Sequence, residues 1–336
     1  MDTIIFNKLL IDRIASLVGA DEVLDFLCKE LNKGRSSVYK KMRGEIEFST
    51  EELIQLVRRL NLSLDHIILE APQHLIAFDL PFRSVKIQDA GQFIRLIAGE
   101  LNLMSQYKHF HVYYATREIP LFYHFYYPNL ARFKAYAFMR TAWDFPSKKQ
   151  HLFSLHSDIF NAQFDQLSVQ LISGFSRVPS REFWNMNVLD TTLFQLEYFL
   201  QAGLFKDPGE AILILESIYA LTADLAEMCS RGSKMDARRK FSEDVNFTLF
   251  INDLTHTGNV ILAKSEEQST FYITLDNPNY IKSSDKDICD YAALWMERLE
   301  TLSERISNKE SRASMRLFNH LQLRISQTEK IVRAYV

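Results

Sequence analysis

The stretch Lys33-Gly34-Arg35-Ser36-Ser37-Val38-Tyr39-Lys40-Lys41-Met42-Arg43-Gly44 decides how the front of the chain folds. It has the marks of one short helix. Gly34 precedes it, where a tight turn suits a residue without a Cβ, and Gly44 follows it, where a helix can end left-handed. The bases Lys33, Arg35, Lys40, Lys41 and Arg43 fall inside it with no acid. Val38 and Met42 are four apart, so they share a face and can dock on a core. Arg35, Ser36 and Lys40 are then left near the front of the helix, a composition suited to the DNA major groove. Lys/Arg runs are also common on plain solvated helices, so the neighbours carry the decision.

Upstream, Val23, Phe26, Leu27 and Leu31 are spaced as one helical face. Asn32 to Gly34 leaves room for the short turn of a helix-turn-helix. Downstream, Ser49-Thr50-Glu51-Glu52 offers an N-cap with acids in the first turn, and Leu53, Leu56, Val57 and Leu60 give the stripe of that helix. Asn61-Leu62-Ser63-Leu64-Asp65 ends it and starts a further short helix capped by Ser63. A first helix is expected over 4–18, with Ile4, Ile5, Leu9, Leu10, Ile14 and Leu17 toward the core.

With these parts together, residues 5–70 resemble the five-helix lambda-repressor/Cro-like DNA-binding domain. The resemblance rests on Phe26-Leu27-x-x-x-Leu31, on Ser36 to Glu45, and on Leu53-x-x-Leu56-Val57-x-x-Leu60-Asn61-Leu62-Ser63-Leu64-Asp65. Tyr39-Lys40-Lys41-Met42-Arg43-Gly44-Glu45 is most similar to a Bacteroidetes-type branch of such regulators, in which a long second domain follows. The family often has Gly in the turn just after its second helix. Here Asn32 stands there, with Gly34 two residues on, which leaves the register of base-facing residues open by about one position.

At 336 residues the chain is long for one core, and 47% hydrophobic content with 25 Phe and 14 Tyr can fill several. The net charge of −3 excludes a protein that coats nucleic acid in bulk; positive charge is local to the Lys33–Gly44 stretch. Cys28, Cys229 and Cys289 are far apart, show no metal spacing and suit reduced thiols in the cytoplasm. No signal peptide and no membrane span are expected.

Beyond residue 70 the order of elements is less regular. Residues 71–87, with Pro72 and Pro81, read as a linker. Helices are expected at 88–104, 119–127, 128–143, 157–173, 188–203, 207–229, 284–306 and 309–334. Strands are expected at 109–115, and at 245–252, 259–264 and 270–275 as an antiparallel meander. The aromatic segment from Phe122 to Trp143 can make a packed core or a ligand pocket. His109 and His111 alternate onto one strand face but lack a third metal ligand nearby. No phosphate loop, nucleophile elbow or zincin motif occurs, and no cofactor, metal or catalytic residue is expected.

The reading is a mainly α chain: domain 1–70 for DNA binding, linker 71–87, and an α+β domain 88–336 with a small antiparallel sheet and long C-terminal helices. The expected function is sequence-specific transcription regulation, not enzymology. Helix 35–43 enters the major groove of double-stranded DNA. Arg35, Ser36 and Lys40 meet base edges and Ser37 bases or backbone; Lys33, Lys41 and Arg43 meet phosphates. The C-terminal domain is expected to form a homodimer, through Trp295 and the Leu/Ile stripes, and to sense a small-molecule effector. Two alternatives stand beside this: an enzyme with an appended DNA-binding domain, and a protein–protein interaction module with a degenerate helix-turn-helix.

Overall fold

The computed structural model describes residues 3–60, 62, 64, 67, 76–81, 87, 89–143, 151–241, 245–253, 258–276, 278–306 and 311–336. The chain divides into two compact units, Met1–Ala77 and Phe78–Val336. The dividing line falls inside the expected linker.

Unit one contains helices α1 (Thr3–Val18), α2 (Val23–Glu30), α3 (Arg35–Met42) and α4 (Thr50–Leu60). Most of their apolar positions converge on one core of Leu10, Ile14, Leu27, Leu31, Val38 and Leu56, with Phe26, Met42, Leu53 and Leu60 packed against it; Ile4 and Ile5, expected toward that core, are exposed instead. Burying a Leu or Ile side chain fully is worth about 1.5–3 kcal/mol, so this shared stripe is what holds four short helices together. The expected fifth helix falls largely outside the described residues, although Leu62 and Ile67 join the core.

Unit two overturns the expectation of a mainly α chain with a small antiparallel sheet. Its strands β1 (His111–Thr116), β2 (Ser180–Trp184), β3 (Phe247–Ile251), β4 (Val260–Lys264), β5 (Ser269–Thr274), β6 (Tyr280–Ser283) and β7 (Glu304–Ile306) form one seven-stranded mixed sheet. The order is β6-β5-β4-β1-β2-β3-β7. The central strands β1, β2 and β3 are parallel, with Tyr114 opposite Glu182 and Glu182 opposite Leu249. Parallel neighbours need long crossovers, and here helices fill them. α5 (Ala90–Met104) precedes β1. The first crossover carries α6 (Leu121–His124), α7 (Pro128–Thr141) and α8 (Ala162–Phe175); the second carries α9 (Asp190–Gln201) and α10 (Glu210–Arg231). β4 then pairs with β1, not with β3, so 245–252 is no part of a meander. The antiparallel run is β4, β5 and β6.

Alternation along the strands sends two sets of side chains to opposite faces. Trp184, Phe247, Leu249 and Ile251 meet the helices that form the main core, including α12 (Arg312–Tyr335). Ala115, Phe183 and Phe250 meet Met296 and Leu299 of α11 (Lys286–Leu302) on the other side. Leu317, Leu321 and Ile325 of α12 are buried in the unit's own core, so that stripe is unavailable to a second subunit. Trp295 is half-buried against the sheet, while Tyr291 and Leu294 are exposed.

β2 is held by a polar cluster inside the core. Glu182, fully buried, accepts from Tyr123 Oη at 2.8 Å, Ser180 Oγ at 2.9 Å and Trp184 Nε1 at 3.1 Å. The Lys234 ammonium lies 4.0 Å away, donates to the Val178 carbonyl at 2.9 Å and sits 3.7 Å over the Phe175 ring. Burial pushes the Glu182 carboxyl up, opposed by the Lys234 charge. Burial likewise brings Lys234 down to about 8, opposed by Glu182. Each charge is tolerated only because the other and four hydrogen bonds are present.

Candidate nucleic-acid interface

The turn between α2 and α3 is built differently from the sequence expectation. Asn32, not Gly34, takes the left-handed conformation, at φ 50°. Asn tolerates that region better than most residues, so it makes the turn without a glycine. Gly34 is extended at φ −70°, ψ 151°, and serves as the N-cap of α3. At the other end Gly44 has φ 75°, and the Glu45 amide donates to the Lys40 carbonyl at 2.8 Å, closing the helix. A Cβ on Gly44 would meet Ile4 of α1 at 3.3 Å. Buried Asn7 of α1 donates to the carbonyls of Lys41 and Ile46, both at 3.2 Å. The end of α3 is therefore fixed against α1 by an amide that helical periodicity alone does not reveal.

Val38 is fully buried and Met42 half-buried, so α3 docks by the expected face. Lys41 docks with them. Its ammonium is 2.8 Å from Glu52 Oε2 and donates to the Glu47 carbonyl at 2.6 Å, with the Phe48 ring 5.3 Å away. Glu52 also accepts from the Ser49 amide at 2.7 Å, while the Glu52 amide donates to Ser49 Oγ at 3.2 Å, a reciprocal cap on α4. Burial pushes the Glu52 carboxyl up, but the Lys41 and Ser49 hydrogen bonds outweigh it and hold it below its ordinary value. Lys41 is thus a brace between α3 and α4, and the phosphate contact expected of it does not fit its place.

The outer face of α3 carries Arg35, Ser36, Tyr39, Lys40 and Arg43, all exposed. They stand at i, i+1, i+4, i+5 and i+8, which is one side of a helix. Ser37 is half-buried at the edge of this face, and Lys33 is exposed in the preceding turn. Tyr39, 49% exposed, was not among the expected contacts, although its spacing from Arg35 and Arg43 places it between them. Arg35 forms an exposed ion pair with Asp25 of α2, and Arg43 lies 3.9 Å from Glu45. The face offers a planar guanidinium fork, a hydroxyl, a phenol and an ammonium. Such groups donate to guanine O6 and N7 and to phosphate oxygens.

Among the described residues, no group of three or more His, Cys, Asp or Glu side chains is placed to hold a metal ion. His111 Nδ1 lies 3.0 Å from the His109 carbonyl, and His109 turns toward Glu266 at 3.5 Å, so the two rings do not converge. Cys28, Cys229 and Cys289 are free thiols. No helix among the described residues is long and apolar enough to cross a membrane. No family model matches the chain, and no curated protein or solved structure matches it either.

Proposed function

We propose that this chain is a sequence-specific DNA-binding transcription regulator that acts in the cytoplasm. Its unit one binds double-stranded DNA through α3, and its unit two supplies self-association and the sensing of a small-molecule effector. The observation that carries the reading is the outer face of α3. The helix contributes no acid to it, it bears Arg35, Lys40 and Arg43 among hydroxyls, and it stands on a helix fixed from behind by Val38, Lys41 and Asn7. A face that reads base edges needs donors on a rigid support, and this one has both. Arg35, Ser36, Tyr39 and Lys40 meet base edges; Lys33 and Arg43 meet phosphates. One eight-residue helix reads only a few base pairs, so two copies acting on a two-fold site are required for useful specificity.

The test is selection of bound duplexes from a random pool by the full chain, followed by salt titration on the selected site. A motif repeated with two-fold symmetry, bound with an affinity that falls steeply with salt, is the expected result. Recovery of unselected sequence at every salt concentration would overturn the reading.

A further inference from the structure

Most of the aromatic segment that suggested a pocket is solid core. Tyr123, Phe133, Tyr136 and Phe138 are all at most 2% exposed. A real cavity of about 110 Å³ lies beside it, between the sheet and the helices α5, α6 and α8. Its floor is Val112 and Tyr114 of β1 with Ile261 and Ala263 of β4; Phe122, stacked on Phe175 at 4.3 Å, walls one side. Tyr272 and Tyr280 close the end over β5 and β6.

Three features distinguish this space from a packing fault. First, it is kept open by a small residue. Ala263 occupies an interior position of a central strand, where larger β-formers normally pack and would fill the void. Secondly, the lining is apolar and aromatic apart from one end. There Glu100 of α5 is the one carboxylate among the lining residues. Its Oε1 accepts from Lys282 Nζ at 2.5 Å and its Oε2 from Tyr272 Oη at 3.2 Å. A carboxylate oxygen can accept a second donor, so the end can orient a guest. Thirdly, that end is tied to the start of the unit. Lys282 exchanges backbone hydrogen bonds with Asp79 at 2.7 and 3.0 Å, and its ammonium lies 4.0 Å from the Asp79 carboxylate. Asp79 stands two residues after Ala77, where the chain leaves unit one.

We infer that this cavity is a binding site for a neutral single-ring compound carrying one hydrogen-bond donor, with the ring over Ala263 and the donor on Glu100. At about 110 Å³ the space is smaller than the engineered apolar cavity of about 150 Å³ in another protein that takes up benzene, so one ring is the most it holds and a ring substituent lies toward the half-buried Leu121 lip. A negatively charged ring is excluded, because its charge would be desolvated beside Glu100. The inference gives the proposed sensing role a place and a ligand class, and it rests on that role. Binding shifts operator affinity only through a difference between the DNA-competent and incompetent forms, and Lys282 is the group that pairs with both Glu100 at the cavity's end and the Asp79 segment.

The probe is 4-methylphenol, titrated into the full chain by calorimetry and by thermal melting. A saturable heat and a melting temperature that rises with ligand are expected. Toluene, which lacks the donor, should bind roughly tenfold to a hundredfold more weakly, and 4-methylbenzoate should give no response. Ala263→Leu should fill the space, keep or raise the melting temperature of the free protein, and abolish the response. Leu121→Phe, at the half-buried lip, closes the same space should Ala263→Leu not fold. No response to 4-methylphenol at millimolar concentration overturns the site, and so does an equal response in a folded filled variant. Operator affinity is titrated separately. A chain that binds 4-methylphenol with unchanged operator affinity keeps the site and loses the sensing role. A chain that binds operator but no ring compound loses the site alone.

Discussion

Lys41→Ala should loosen α3 from α4 without touching the DNA-facing side. The side chains of Lys41 and Glu52 are 7% and 11% exposed, and the substitution leaves the Glu52 carboxylate with only the Ser49 amide at 2.7 Å. Stranding one charge of a buried pair costs about 3–5 kcal/mol. Glu52 keeps one hydrogen bond and some contact with water, so the lower figure applies, about 3 kcal/mol. A unit of 77 residues has roughly 4–12 kcal/mol in total, at about 0.05–0.15 kcal/mol per residue. The loss is therefore a large part of its stability. Hydrogen exchange of amides in residues 35–60 of the full chain should quicken about a hundredfold at pH 7. The pH dependence has a definite sign. Glu52 titrates below its ordinary value in the folded protein, so the pair's contribution is complete above the unfolded carboxylate pKa. It is lost as pH falls through the lowered folded value. In the variant, burial is opposed only by the Ser49 amide and the Lys33 charge, so the carboxyl moves toward the protonated acid and the gap between variant and parent should narrow from pH 7 to pH 4. Lys40→Ala, one residue away and exposed, should change exchange by less than about 0.5 kcal/mol. Equal exchange in Lys41→Ala and the parent would refute the brace.

Other outcomes follow from the same geometry. Arg35→Ala should weaken binding to the selected site by about 1–3 kcal/mol while leaving random duplex nearly unchanged, as read by fluorescence anisotropy. Arg43→Ala should weaken both alike and make the salt slope shallower by about one unit per subunit, whereas Lys41→Ala should leave the slope alone. Asp25→Asn should raise affinity for the selected duplex, because Arg35 no longer has an acid partner to leave, and for random duplex only slightly, through the loss of one negative charge; lower affinity for the selected duplex would show that Asp25 orients Arg35 productively. Lys234→Met should cost about 3–5 kcal/mol in thermal melts by stranding Glu182, and Lys234→Met with Glu182→Gln, which removes the charge but keeps an acceptor for Tyr123 and Ser180, should recover much of it. Failure of the double variant to recover would show that the stranded charge is not the source of the loss.

Unit one was largely legible because its signals are local. The spacing of Val23, Leu27, Leu31, Val38 and Leu56 marks faces directly, and these residues form the core. The misreading of Lys41 has a physical cause. Two adjacent lysines look alike in a sequence, yet Lys41 is three residues from Val38 and so shares its buried side. The partner was visible too, as the Glu of Ser49-x-x-Glu52. The sheet was less legible. β2 reads Ser-Arg-Glu-Phe-Trp, and a buried Glu182 breaks the apolar alternation that marks a strand. Its partners, Tyr123 and Lys234, lie 59 and 52 positions away, beyond any window of periodicity. β7 has three residues and continues directly from α11, so it was absorbed into the expected helix 284–306. Strand order depends on which distant segments pair, and nothing in a single strand's composition encodes that.

The two margins of the sheet have a consequence for how copies of this chain can meet. β6 has four residues, and its outer side is already bonded to Asp79. β7 has three, with exposed Glu304 and Arg305 beside one another. Neither margin leaves the long, flat, uncharged backbone that templates strand addition. Crowded chains should therefore resist cross-β aggregation through this sheet while it stays folded. A symmetric complex must then be assembled from side chains on helices, and exposed Phe194 and Tyr198, one turn apart on α9, are apolar material for it.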